Sequence, residues 1–195
     1  VAELADDSFS PVFLRNATAY GVSPRQRFDI VLNNMVAWAY STGKVLIKSD
    51  GTPWRPLIHI EDISRAFIAA LNAPREVIHN QAFNVGRNDQ NYRIRELAEI
   101  VRETVPGCVI EYAKDAGPDK RTYRADFSKI AEKLPEFQPQ WDARKGAQEL
   151  YNAYRKVELI VDEFEGPKYK RIDHIKQLLS SGLLDSNLRW TKMEA

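Results

Sequence analysis

Residues 50–62 carry the sequence DGTPWRPLIHIED, and this stretch says most about the fold of the chain. It opens with an Asp-Gly turn signal. A short apolar run follows at residues 57–60 and is typical of a buried strand. Either Glu61 or Asp62 then closes the run and is expected to cap a helix with an apolar face over residues 63–71. The stretch therefore predicts a turn, a strand and a helix in succession.

Arg55 lies between the turn and the apolar run, at the mouth of the predicted strand. A guanidinium in that position can hold a phosphate, because its planar fork offers two parallel charge-assisted hydrogen bonds. The alternative is that Arg55 only pairs with a nearby carboxylate. Beside it, Trp54 either packs against its neighbours or stacks on the ring of a ligand. His59, on the strand, is expected to be structural.

Short strands alternate with helices along the chain, which predicts an α/β fold. The predicted strands are residues 11–15, 45–47, 57–60, 82–85 and 109–112. The predicted helices are residues 29–42, 63–71, 91–105, 127–134, 142–154 and 169–181. Gly43 is expected to end the first helix, and Asn91 and Asp142 are expected to cap two later ones. The strands are too few for a free-standing doubly wound sheet.

Composition narrows the function classes. The chain has 195 residues, a formal net charge of +1 and 44% hydrophobic residues, which allows one domain or one and a fraction. The near-zero net charge gives no reason to expect a nucleic acid or a membrane surface as partner. The single cysteine, Cys108, fits a reducing compartment and is expected to be a small core residue. With no secretory signal in the N-terminal residues, we expect a cytoplasmic location.

Residues 51–62 resemble the Gly-x-x-x-Arg-x-(Phe/Tyr/Leu)-(Ile/Val)-(His/Tyr)-(Val/Ile)-x-Asp segment of the extended short-chain dehydrogenase/reductase superfamily, the NAD-dependent epimerases and dehydratases of nucleotide sugars. Residues 14–21, LRNATAYG, are similar to the Leu-Arg-x-x-Asn-Val-Tyr-Gly of that family. Residues 84–86 and 117–129 match further family segments. The resemblance runs from about residue 14 to about residue 154, which is most of the chain.

The resemblance implies phosphate and ribose contacts for three residues. Arg55 matches the family arginine that holds the diphosphate of the substrate. Arg121 would be the second positive group on that diphosphate, and Asp119 would contact the ribose. The spacing in this loop also leaves Arg124 open as the counterpart of Arg121. Without Arg55, the same loop would be interpreted as a solvated basic segment.

The resemblance also implies sugar and cofactor contacts near the N-terminus. Thr18 takes the place of the family asparagine that contacts the sugar, and Asn16 either substitutes for it or shapes a local turn. Tyr20 corresponds to the tyrosine of the loop that walls the nicotinamide, so it is expected to bind the cofactor. Asn33 and Asn34 match the start of the helix over the nucleotide, and one of them is expected to touch the substrate.

Two features of the family do not occur in this sequence. The nine glycines are dispersed, so there is no Gly-rich phosphate cradle for a dinucleotide. No Tyr-x-x-x-Lys pair stands on a helix before the strand at residues 11–15. The resemblance therefore implies a partial Rossmann-like fold, the C-terminal strands and substrate-binding subdomain without the N-terminal dinucleotide-binding half. We expect residues 1–157 to form this substrate-binding portion and residues 158–195 to form a helical extension.

The implied function is to bind the nucleotide-sugar diphosphate within an NAD-dependent epimerase or dehydratase. NAD is expected in the intact enzyme, and neither a cofactor nor activity is expected for this chain alone. The alternative is a non-catalytic module, derived from that family, that binds a nucleotide sugar or serves oligomerisation. The expected partners are the nucleotide sugar and either further copies of the chain or a separate Rossmann half, with no metal site.

Overall fold

A computed structural model of the chain describes residues 1–117 and 122–191. The strands are β1 (Val12–Asn16), β2 (Thr18–Tyr20), β3 (Lys44–Ser49), β4 (Trp54–His59), β5 (Gln81–Val85), β6 (Asn91–Arg93) and β7 (Val109–Gly117). The helices are α1 (Val31–Thr42), α2 (Ile60–Asn72), α3 (Arg75–Ile78), α4 (Ile94–Thr104), α5 (Ser128–Lys133), α6 (Ala143–Lys156), α7 (Val161–Phe164) and α8 (Arg171–Ser180).

Parallel strand pairing with helical crossovers confirms the α/β fold. β1 pairs with β5, β2 with β4 and β3 with β7, all in parallel, while β6 adds to β4 in the antiparallel direction. Each of the five predicted strands is present. β2 and β6 are additional three-residue strands. Over the described ranges the strands form three small sheets, which agrees with the expectation that they are too few for one doubly wound sheet.

The helices enclose two apolar cores. The larger core lies among α1, α4 and α6, where Leu32, Val36, Leu97 and Leu150 are completely buried. The smaller core lies among α2, β5 and α5, around the completely buried Phe83. Each such side chain stabilises the fold by roughly 1.5–3 kcal/mol relative to an exposed position. These cores fix the helices whose ends surround the groove described below.

α1 places two adjacent asparagines in its first turn. Its N-cap, Ile30, contributes no side-chain hydrogen bond, so the polar side chains just inside the helix organise its start. The helix ends at Gly43, which has a φ of 72° and donates its N–H to the carbonyl oxygen of Ala39. The predicted end of this helix is confirmed.

The N-cap of α2 differs from the sequence prediction. The helix begins at Ile60, and the Nδ1 atom of His59 accepts the N–H of Glu61 at 3.2 Å. Asp62, which together with Glu61 was the expected cap, is instead 1% exposed and accepts the N–H groups of Gln140 and Trp141, each at 2.9 Å. A carboxylate committed to two distant amides cannot also cap its own helix, so the prediction was wrong.

The start of α4 also differs from the prediction. Asn91 lies in β6 and not at the helix N-cap, because its side-chain amide both donates to the carbonyl oxygen and accepts the N–H of Ala125. The helix begins three residues later, at Ile94, and Glu96 accepts the N–H of the N-cap residue Arg93 at 2.6 Å. By contrast, the predicted cap Asp142 is confirmed, since it accepts the N–H of Lys145 at 2.8 Å.

The C-terminal segment is attached to the larger core by its first half. Leu159 and Phe164 are buried there, whereas α8 contains no buried residue. The predicted terminal helix is confirmed to within two residues at its start and one at its end. The division of the chain at residue 157 stays a prediction. None of the helices in the described ranges has the length and apolar character needed to cross a bilayer.

Candidate functional site

A groove of about 860 Å³ lies between the N-terminal turn of α1, the strand β3 and the start of β4. Three residues that the sequence marks as substrate contacts line it: Thr18, Asn34 and Arg55. They come from β2, α1 and β4, which are separated along the chain and meet because β2 and β4 pair in parallel beside the helix. A cleft of this size matches the usual volume of a small-molecule site.

Arg55 is half-buried at the edge of the groove. Its Nη1 atom donates to the carbonyl oxygen of Trp54 at 2.7 Å, and its Cζ atom lies 6.0 Å from the centre of the Tyr123 ring. These contacts hold the guanidinium near the groove. Because successive side chains of a strand point to opposite faces, the Trp54 ring lies on the other face of β4 from Arg55. The Cζ atoms of Arg93 and Arg124 lie over this ring, 4.9 and 4.7 Å from its centre. Trp54 thus packs against neighbouring side chains, which is the first of the two roles predicted for it.

The groove carries an excess of positive charge. Among its described lining residues are three cationic side chains, Arg27, Lys48 and Arg55, and one carboxylate, Asp29. The described lining residues therefore include more cationic than acidic side chains, which suits an anion such as a diphosphate. Because the walls have a low dielectric constant, this excess raises the local concentration of anions.

The carboxylate in the groove is neutralised by an adjacent arginine. Arg27 binds Asp29 with two hydrogen bonds, from Nε at 3.0 Å and from Nη2 at 2.6 Å. These bonds hold the pKa of Asp29 below its ordinary value and raise the pKa of Arg27. Both side chains are more than half exposed, so the pair stays accessible from the groove.

The loop that carries Arg27 and Asp29 is fastened at several points. The Oδ1 atom of Asn33 accepts the N–H of Gly21 at 3.2 Å, and its Nδ2 atom donates to the carbonyl oxygen of Arg27 at 2.9 Å. Glu149 of α6 accepts the N–H of Val22 at 3.1 Å. The predicted substrate residue Asn33 is only 2% exposed and uses both ends of its amide to position this loop.

Asn34 is the better placed of the two adjacent amides. Its Nδ2 atom donates to the carbonyl oxygen of Phe28 at 2.8 Å, and the side chain lines the groove. No residue in the described ranges donates a hydrogen bond to its Oδ1 atom, so that oxygen can accept one from a ligand. Which asparagine contacts the substrate stays a prediction, and the geometry favours Asn34.

Comparison with known proteins finds a family that matches the N-terminal part of the chain. The sequence model of the NAD dependent epimerase/dehydratase family matches residues 1–86. This match supports the resemblance of the chain to the NAD-dependent epimerase/dehydratase family that the sequence motifs indicate. A UDP-glucuronate 4-epimerase from Thermodesulfobacterium geofontis is 28% identical over 149 residues, which are 75% of this chain and 44% of that protein.

Solved structures show the same fold. A variant of UDP-glucuronic acid 4-epimerase from Bacillus cereus, in complex with UDP-4-deoxy-4-fluoro-glucuronic acid and NAD, has a TM-score of 0.62 at 23% identity, over 74% of this chain and 45% of that one. A dTDP-glucose 4,6-dehydratase from Bacillus anthracis in complex with NAD has a TM-score of 0.60 at 23% identity, over 74% and 44%. The chain thus spans less than half the length of these relatives and forms part of their Rossmann-like fold.

Tyr20 is enclosed by its neighbours in the described part of the chain. Tyr20, the predicted cofactor contact, is 3% exposed, and its ring lies edge-on to His59 with centroids 5.2 Å apart. A Cβ atom on Gly146 would lie 2.1 Å from the Tyr20 ring, so α6 closes over it. Burial raises the pKa of this phenol. The cofactor role of Tyr20 stays a prediction for the intact enzyme.

The other predicted contacts lie either outside the groove lining or outside the described residues. Asn16 is exposed at the carboxyl end of β1 and is not part of the groove lining. Asp119 and Arg121 lie outside the described residues, so their roles stay predictions. Arg124, the alternative to Arg121, stacks on Trp54 and is likewise not among the residues that line the groove.

Four charged or aromatic residues of the groove were missed in the sequence: Arg27, Asp29, Lys48 and Tyr123. Arg27 and Asp29 stand just before the apolar helix pattern of α1, in a segment that matches the start of the family helix. The opposite charges of Arg27 and Asp29, two residues apart, were the signal in the sequence that could have marked them as polar residues of a site. Lys48 and Tyr123 gave none, because their positions depend on tertiary contacts: Lys48 lies on β3, which pairs with β7, and Tyr123 donates its N–H to the carbonyl oxygen of Trp54 at 3.4 Å.

Proposed function

We propose that this chain holds the diphosphate of a nucleotide sugar, as the substrate-binding part of an NAD-dependent sugar-nucleotide epimerase or dehydratase. The observation that carries the proposal is the position of Arg55 on a groove together with Thr18, Asn34 and the further cationic side chains of the described lining, Arg27 and Lys48. A bidentate guanidinium is the usual protein group for this kind of anion. Arg121 and Asp119 are proposed to add a second phosphate contact and a ribose contact.

The proposed role is positioning. Hydride transfer at the sugar would be supplied by NAD bound to a nucleotide-binding half, and this chain would keep the sugar in place. Holding reacting groups in a fixed orientation can remove about 7–11 kcal/mol of a barrier in favourable cases. The chain alone is proposed to bind substrate without turning it over, because its sequence has no dinucleotide cradle. A cytoplasmic location, where nucleotide sugars are available, fits this role.

Calorimetric titration tests the proposal. The 195-residue chain is titrated with UDP-glucuronate, UDP-glucose and dTDP-glucose, and we expect binding that Arg55→Ala weakens by about tenfold or more, the loss expected for a charge-assisted bidentate contact. Arg102→Ala is the matched control, since Arg102 is an exposed arginine on α4 that pairs with Glu99 and does not line the groove. Absence of binding to all three ligands, or equal effects of the two variants, would contradict the proposal.

A second candidate is an assembly module, which an exposed apolar face favours. Phe67, Ile68 and Leu71 on α2 are 51%, 58% and 82% exposed. Phe67 and Leu71 also line a cavity of about 490 Å³ with β1, which pairs only with β5 among the described strands. An open strand edge beside exposed apolar side chains promotes association. We propose either self-association or docking of a separate Rossmann half at this face.

Sedimentation distinguishes the assembly candidate. We expect the sedimentation coefficient of the chain to rise with concentration, and Leu71→Glu to abolish the rise because it introduces a charge into the apolar face. Ile172→Glu is the control, since Ile172 is an exposed apolar residue on α8 at 70%. A chain that remains monomeric at all concentrations, and that does not bind a purified amino-terminal half of a relative, would exclude this candidate.

A further inference from the structure

The loop of residues 21–29 leads from β2 towards α1 and brings Arg27 and Asp29 to the groove. Its backbone consists of turns, bends and irregular structure. Since no helix or strand of its own fixes this loop, its position depends on hydrogen bonds from neighbouring elements. The residues that supply those bonds therefore decide where the guanidinium of Arg27 stands relative to a bound anion.

Glu149, in the middle of α6, binds the first part of this loop. Its Oε2 atom accepts the N–H of Val22 at 3.1 Å and lies 2.9 Å from the Nε2 atom of His59. The Glu149 side chain is 27% exposed and does not line the groove. One carboxylate oxygen therefore joins the loop to the end of β4 without being placed to contact a ligand.

His59 holds this oxygen at a fixed point. The imidazole is 1% exposed, and its Nδ1 atom accepts the N–H of Glu61 at 3.2 Å. The ring proton is therefore on Nε2 and is donated to Glu149. A buried ring with both nitrogen atoms engaged cannot turn, so the carboxylate that it binds marks a constant position for the N–H of Val22.

A further pair of hydrogen bonds leads from the residue before Val22 to Arg27. Gly21 donates its N–H to the Oδ1 atom of Asn33 at 3.2 Å. The Nδ2 atom of the same asparagine donates to the carbonyl oxygen of Arg27 at 2.9 Å. Arg27 binds Asp29 through its Nε and Nη2 atoms, and its Nη1 atom donates to no residue in the described part of the chain. That nitrogen can bind an anion in the groove.

α6 also holds the middle of the loop. The Nε2 atom of Gln26 donates to the hydroxyl oxygen of Tyr154 at 2.9 Å, and its Oε1 atom accepts the N–H of Ser23 at 3.0 Å. Tyr154 is 4% exposed and belongs to the larger core, so this contact is firmly anchored. Loss of Glu149 alone should therefore displace the loop without detaching it from α6.

We infer that Glu149 is a positioning residue for the groove: it sets the loop of residues 21–29 so that Arg27 can bind the diphosphate. The inference rests on the proposed function, because it takes the groove as the diphosphate site. Glu149 acts through the loop and does not contact the ligand. It lies beyond residues 1–86, the segment that the family model matches, and its role follows from the two hydrogen bonds of its Oε2 atom.

Calorimetric titration of the full chain with UDP-glucuronate, UDP-glucose and dTDP-glucose tests the inference. Glu149→Ala removes the acceptor of both hydrogen bonds, and we expect it to weaken binding about three- to tenfold. Because the three ligands share the diphosphate, the loss should be the same for each. Glu149→Gln keeps an oxygen that can accept both bonds, so we expect affinities within about twofold of the unmodified chain. Gln148→Ala, at an exposed neighbouring position on α6, is the matched control and should bind normally.

A double-mutant cycle with Arg27→Ala distinguishes positioning from a general loss of stability. Arg27→Ala removes the guanidinium that Glu149 positions, so adding Glu149→Ala should weaken binding no further. A change that only loosened the fold would reduce the affinity in both backgrounds alike. Urea unfolding without ligand shows whether each variant is folded. If Glu149→Ala is not, Glu149→Asp replaces it, since its carboxylate is one methylene too short to reach Val22 and His59 together.

Three results would overturn the inference: binding unchanged by loss of the acceptor, Glu149→Gln as deficient as Glu149→Ala, or the same loss with and without Arg27. In each case a deficient Arg55→Ala would leave the proposed function intact. Failure of the unmodified chain to bind any of the three ligands would instead overturn the proposed function and, with it, the inference.

Discussion

The imidazole of His59 connects three parts of the molecule. Its Nδ1 atom accepts the N–H of Glu61, so the ring proton resides on Nε2, which lies 2.9 Å from a carboxylate oxygen of Glu149. The ring also stacks on Trp141 with centroids 3.8 Å apart and is 1% exposed. The expected structural role of His59 is confirmed. One side chain thus joins the start of α2, the middle of α6 and, through Glu149 and Val22, the loop before α1.

Gly21 approaches this imidazole so closely that no other residue fits. Its φ is 112°, and a Cβ atom there would lie 2.3 Å from the Nε2 atom of His59. We expect Gly21→Ala to lower the free energy of unfolding by about 2–4 kcal/mol, because backbone strain adds to a clash with a buried ring. Urea denaturation followed by tryptophan fluorescence measures the loss.

Gly43→Ala separates the strain from the clash. Gly43 also has a positive φ, of 72°, but a Cβ atom there would have nothing within 4 Å. We expect this control to cost about 1 kcal/mol, the strain term alone. Equal losses in the two variants would show that the contact with His59 does not matter.

At the scale of elements, Asp62 ties α2 to the segment that leads into α6. Its buried carboxylate accepts two backbone N–H groups, from Gln140 and Trp141, and binds Arg65 at 2.8 Å. We expect Asp62→Ala to lower the free energy of unfolding by about 2–4 kcal/mol, since it removes a buried acceptor that satisfies two backbone N–H groups and a guanidinium. Equilibrium urea unfolding checks this value.

Glu61→Ala is the neighbouring control for Asp62→Ala. Glu61 also contacts this segment, by accepting the indole N–H of Trp141 at 2.9 Å, but its side chain is 53% exposed. Water can replace that hydrogen bond, so we expect a loss of about 1 kcal/mol or less. A control variant that unfolds as easily as Asp62→Ala would mean that burial of the carboxylate is not the cause.

Helices could be predicted from the sequence better than short strands and caps. α1 and α6 have apolar residues at a 3.6-residue period, and the structure confirms both. β2 and β6 have three residues each, which is too short for a period to be detected. The predicted cap of α2 failed for a related reason: the partners of Asp62 lie 78 and 79 residues away, and no local pattern indicates them.

For the molecule as a whole, the groove could be predicted only in part. Arg55 and Thr18 were assigned from family-like segments, and the structure places both on the groove with Asn34. The packing of Phe28 against Phe164 could not be foreseen, because this contact joins residues 136 positions apart in the chain. Such contacts are set by tertiary packing, which single-sequence patterns do not carry.

The stability of the whole molecule should fall in acid. Arg27 lowers the pKa of Asp29, and Arg87 lowers the pKa of Asp89, in each case mainly through side-chain hydrogen bonds. A carboxyl group whose pKa is lower in the folded state contributes stability that is present above its unfolded pKa and is lost as the pH falls through its folded pKa. We therefore expect the urea midpoint to fall as the pH is lowered from about 5 to about 3. The double variant Asp29→Asn, Asp89→Asn should show a shallower fall over this range, because its amides do not titrate. A variant that loses stability in acid as steeply as the unmodified chain would show that these two ion pairs make no contribution to the pH dependence.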